Sequence, residues 1–137
     1  MSTPNLISEV INQLDYILTK LNLALDLVNK SMGTSKWAPI LSLIIPPAFF
    51  MRQDKYFNDI MRIIIEIKEI VSDIKAKVVM ENGDYLIPKS IYLEDFLTTN
   101  FDMILDSLYF KDSPQKVGSM IIDKIELVKN LLDSLRA

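Results

Sequence analysis

Neither cysteine nor histidine occurs in this chain, and the two absences remove many familiar site chemistries at once. Without them the chain can form no disulfide, thiolate nucleophile, Cys/His zinc site or Ser–His–Asp triad, and no haem ligation by His or Cys. A ferritin-like di-iron centre needs Glu-x-x-His on inward helix faces and fails for the same reason. Only three glycines are present, and none forms a Gly-rich loop of the kind that cradles phosphate. Positive charge is short as well. Fifteen basic residues against 18 acidic ones give a formal charge of −3, and the basic residues are scattered. Duplex nucleic acid calls for a cationic face, so a nucleic-acid role is disfavoured. The N-terminal Met-Ser-Thr-Pro-Asn lacks the charged region and apolar run of a signal peptide, so the expected location is cytoplasmic. No cofactor is implied.

What the chain has is apolar residues at helical spacing. Half of its 137 residues are hydrophobic, which excludes disorder and points to a large core, a buried subunit interface, or both. Ile7, Leu14, Leu21 and Val28 recur every seven residues, with Val10/Ile11, Ile17/Leu18 and Ala24/Leu25 between them. A helix with such a seam must lie along other helices. Thr3 suits its N-cap, Pro4 its first turn, and Gly33 its stop. The stretch from Trp37 to Met51 then carries no charge at all. At that length, interrupted by Pro46-Pro47, it falls short of the ~20 apolar residues that span a bilayer. A short helical turn from Pro39 to Ile45, inside a crossover packed over one end of the bundle, is the expectation.

A second long helix is expected from Asp54 to about Lys77. Phe57, Ile64, Val71 and Val78 form one seven-residue series, and Ile60, Ile67 and Ile74 another. Ile63, Ile70, Met61 and Ile65 widen the stripe beyond what one seam needs, so this helix is either central or shared between subunits. Glu81-Asn82-Gly83-Asp84 marks a turn. A helix cap followed by a loop is favoured there over a small hairpin pairing Val78–Met80 with Tyr85–Ile87. A third helix, capped by Ser90, carries Leu93, Leu97, Phe101, Ile104 and Leu108 on one face and ends near Phe110. Asp112, with capping-box spacing to Gln115, and Pro114 then restart the chain as a fourth helix. That helix is lined by Val117, Ile121, Ile125, Val128, Leu131, Leu132 and Leu135, and Gly118 permits close approach of a neighbouring backbone. The sequence therefore reads as one all-α domain over residues 1–137. Its architecture is a four-helix bundle with a long apolar crossover between the first and second long helices.

Carboxylates are the only plentiful reactive groups. All-helical nucleoside-triphosphate pyrophosphatases hold magnesium with Glu-x-x-Glu and Glu-x-x-Asp pairs on neighbouring helices. Glu66-x-x-Glu69, Asp73 and Asp123-x-x-Glu126 resemble that arrangement, with the second pair in reverse order. A Mg-dependent nucleotide or phosphate-ester hydrolase is accordingly the alternative reading. A solvated helix face accounts for the same residues, as it does for Asp102 and Asp106 one turn apart. Ser42, Tyr92, Thr98 and Thr99 have no adjacent general base, and no catalytic, cofactor-binding or metal residue is assigned. The favoured reading is a non-catalytic protein acting through protein contacts or self-association, with membrane association disfavoured by the lack of a basic flank. The interface candidates are Trp37, Ile40, Leu43, Ile44, Ile45, Phe49, Phe50, Met61 and Ile65, with Trp37 the best single anchor.

Overall fold

The seam of the first helix finds partners on two sides. In the computed structural model the backbone of residues 3–41 and 51–137 is described, and the side chains of 4–32 and 55–137. Among the described residues five helices run α1 Thr3–Leu41, α2 Met51–Val78, α3 Ile91–Thr98, α4 Asp102–Tyr109 and α5 Pro114–Arg136. α1 packs against α2 on one flank and α5 on the other; α4 touches both α2 and α5, and α3 lies on α5. Four rods result, the fourth being α3 and α4 in succession, and the protein is all-α with its helices packed around one core.

Cross-helix contacts fix the directions. Glu9 meets Lys77 and Gln13 meets Asp73, so α1 and α2 are antiparallel. Asp15 meets Arg136 while Val28 faces Gly118, so α1 and α5 are antiparallel too. Val10, Leu14, Ile17, Leu21, Ala24 and Val28 are fully buried along α1. Each leucine-sized member contributes roughly 1.5–3 kcal/mol on leaving water. At the N-terminal turn Leu6 is buried and Ile7 only half-buried. A straight helix drifts ∼20° per heptad, so two heptads from Leu21 the series has turned by about 40° and Ile7 lies toward the edge of the seam.

Five local expectations are corrected. α1 does not stop at Gly33 but runs to Leu41, because glycine lowers helix propensity by about 1 kcal/mol without forbidding helical dihedrals. The expected separate turn starting at Pro39 is therefore the end of α1 as far as Leu41, and its remainder lies outside the described residues. The third helix is broken in two. Thr98 turns its hydroxyl back to the Glu94 carbonyl at 2.8 Å, Thr99 is extended, and the Asn100 side chain accepts from the Asp102 N–H at 2.9 Å. Side chains that bond their own backbone compete with helix continuation. The inward face survives the break, since Leu93, Leu97, Phe101, Ile104 and Leu108 are all buried.

The turn after α2 forms a minimal hairpin rather than a cap and loop. Val79 and Tyr85 make an antiparallel bridge, and the Met80 N–H bonds the Asp84 carbonyl at 2.7 Å. Gly83 has φ +89, the left-handed residue that closes a three-residue hairpin loop. A lone hairpin is marginal, but this one is held by Val78 and Ile87, both buried in the core. Finally, Ser113 and not Asp112 caps α5, its side chain accepting from the Lys116 N–H, with Pro114 in the first turn. Asp112 instead pairs with Lys116 at 3.1 Å.

Candidate functional site: the groove between α2 and α4

α4 has eight residues and α2 has 28. At 1.5 Å per residue the shorter helix covers about 12 Å of a rod about 42 Å long. Because α3 lies on α5, one side of α2 is left thinly covered. Three clefts follow one another down that side. The first, of about 250 Å³, lies among Phe57, Asn58, Met61, Leu108 and Tyr109. The second, about 300 Å³ and shallow, is walled by Ile65, Lys68, Glu69 and Ser72. The third, about 190 Å³, runs from Lys68 and Lys75 to the α3–α4 break at Thr99–Asp102. Lys68 crosses the groove to Asp102, joining the two helices.

Of the interface candidates, Met61 and Ile65 fall within the described side chains. Met61 is half-buried in the wall of the first cleft, and Ile65 is 45% exposed in the shallow second one, on α2 itself. Leu43, Ile44, Ile45, Phe49 and Phe50 lie outside the described residues, as do the side chains of Trp37 and Ile40. Sequence reasoning missed Tyr109 and Phe110, each 73% exposed and stacked edge to face at 5.1 Å. The available signal was that both follow Leu108, the last residue of the inward pattern, as large aromatics out of phase with it.

The acidic candidates are distributed differently. Glu66 turns toward α1, where it accepts the Tyr16 hydroxyl and lies 3.9 Å from Lys20; this contact with Glu66 raises the Tyr16 pKa. Asp73 also belongs to the α1–α2 seam, accepting from Gln13 at 2.8 Å and pairing with Lys77 at 2.9 Å. Glu69 faces solvent on the outer side of α2, and Asp123 and Glu126 are exposed on α5. Among the described residues no three Asp or Glu side chains are grouped so as to hold a metal. Of the hydroxyl candidates, Tyr92 and Thr98 are exposed, Thr98 being bonded to its own helix, and Thr99 lines the third cleft. Among the described residues no helix is long and apolar enough to cross a membrane.

The Glu9–Lys77–Asp73–Gln13 cluster is a polar fastener along the α1–α2 seam, with a pH dependence whose sign can be stated. Lys77, and then Gln13, hold the Asp73 carboxyl below its ordinary value of 3.8. Glu9, and then Asp73, raise Lys77 above its ordinary 10.5. The Asp73 contribution is thus present above pH 3.8 and fades as pH falls through its lowered value. Asp73→Asn should melt slightly below the parent at pH 7, and the two midpoints should converge in strong acid. A gap that persists unchanged at low pH would contradict a charge-based origin.

Compared with known proteins, the chain matches no family model, no curated protein and no solved structure. Function must therefore be argued from the site alone.

Proposed function

We propose that this chain is a non-catalytic helical-bundle protein that works through self-association in the cytoplasm, with the outer side of α2 beside the α4 groove as its contact region. One observation carries the reading. Ile65, a large β-branched side chain, stands 45% exposed midway along the second-longest helix, in a shallow depression of α2 one helical turn from Met61, which lines the cleft with Tyr109. Scattered exposed apolar residues are ordinary on any surface; here they line a concavity, as contact sites do. In this reading an apolar crossover joins α1 to α2, and it lies outside the described residues. The hydrolase alternative keeps only its sequence spacing as support.

Sedimentation equilibrium at micromolar concentration is the test. The expected mass is twice the 15.7 kDa of one chain. Ile65→Asp should bring it to the single-chain value with the helical signal intact. A single-chain mass for the unaltered protein would end the reading.

A further inference from the structure

The outer stripe of α2 is complementary to itself in reverse. Residues at alternating spacings of three and four share one side of a helix. On the solvent side of α2 that set runs Lys55, Asn58, Arg62, Ile65, Glu69, Ser72 and Ala76, and all seven are exposed. Lys55 and Arg62 precede Ile65 along it and Glu69 follows. The two central charges are loosely engaged. The Arg62 side chain is 80% exposed and reaches Asp59 only at 3.5 Å, and Glu69 has no ion pair among the described residues.

Resting on the self-association reading above, we infer that the occupant of this face is a second copy of the chain, its α2 antiparallel to the first about a twofold axis at Ile65–Glu66. In an isologous contact each residue meets its mirror position. An axis midway between positions 65 and 66 puts Arg62 level with Glu69 of the second copy, each about 5 Å along the helix from the axis. Glu69 then meets Arg62 of that copy in the symmetric pair. Ile65 meets the Ile65 of the second copy, and Asn58 falls within one residue of its Ser72, a neutral polar pair. A parallel arrangement in register would instead set Arg62 against Arg62 and Glu69 against Glu69. The charge order therefore selects the antiparallel dimer.

A charge exchange tests the pairing. Arg62→Glu and Glu69→Arg each place like charges opposite one another twice, and each should weaken the homodimer by at least about tenfold. Both positions are exposed on the described surface, so melting midpoints near the parent value are expected for both variants. Mixed in equal amounts, the two variants should form a heterodimer, because both contacts then pair opposite charges; a mass-tagged partner makes it visible in the ultracentrifuge. Single variants that stay as tightly dimeric as the parent would overturn this surface while leaving self-association standing. Weakened variants that fail to recover on mixing would overturn the antiparallel pairing. A parent protein that is itself a monomer would overturn both this inference and the reading beneath it.

Discussion

Phe96→Ala lowers the unfolding free energy by about 3–5 kcal/mol, the usual loss for emptying a buried aromatic site. Phe96 has no accessible surface and sits at the centre of α3 between buried Leu93 and Leu97. An eight-residue helix is too short to persist in water by itself. α3 exists because these three side chains are pressed onto α5, and the Ser90 cap only orients its first turn. Losing the phenyl ring opens a cavity and weakens the packing that keeps α3 folded. Urea unfolding followed by far-UV circular dichroism measures the effect. A lowered midpoint with unchanged slope means the whole bundle weakened, whereas a smaller slope means α3 has come away in the native state. A loss below about 1 kcal/mol would contradict the burial of Phe96 in the core.

Gly118→Leu should destabilise the protein by about 1–3 kcal/mol, the usual range for overpacking, while Gly118→Ala stays within about 1 kcal/mol of the parent. A Cβ built at Gly118 would lie 3.3 Å from Val28 Cγ1 and 3.9 Å from Leu25 Cδ1. A single methyl requires Val28 to yield by a few tenths of an ångström, and it brings a helix-propensity gain of about 1 kcal/mol in return. An isobutyl group has nowhere to go, since Val28 is fully buried on the α1 seam. Adding Val28→Ala to Gly118→Leu should restore part of the loss, with a coupling of about 0.5–3 kcal/mol in the four-member cycle. Purely additive losses would mean that the two helices do not meet at this point.

Much of this was legible beforehand, and the reason is periodicity. Ile60, Ile64, Ile67 and Ile74 were assigned inward from their seven-residue series, and all are fully buried. Gly118 is a close-approach position as expected, but the approaching group is a valine side chain of α1 and not a backbone. The failures came where a local competitor beat the pattern. Between Leu97 and Phe101 the apolar face is unbroken, yet Thr98 and Asn100 spend their side chains on the backbone and divide the helix. After Val78 the chain commits to a hairpin because Val78 and Ile87 enter the core together, a cooperation between residues that no window of either strand contains.

The candidate site was half legible. Met61 and Ile65 stood out because a helix with one buried seam has no use for them; Met61 lines the α2–α4 cleft and Ile65 a shallow depression on α2. Tyr109, Lys68 and Asp102 did not, since nothing in their own segments says that α4 is short or that it lies beside α2. Glu66 and Asp73 share a helix face with acidic spacing, but their roles are set by Tyr16, Gln13 and Lys77 across the seam.

By itself, the order of residues determined that this chain is built from helices and which side of each turns inward, because burial of apolar surface follows a repeat that one strand of text displays in full. Which helices became neighbours, where α3 gave way to α4, and which part of α2 was left uncovered were settled only on packing. Those outcomes depend on contacts between residues far apart in the chain, and on how much of one rod another is long enough to cover.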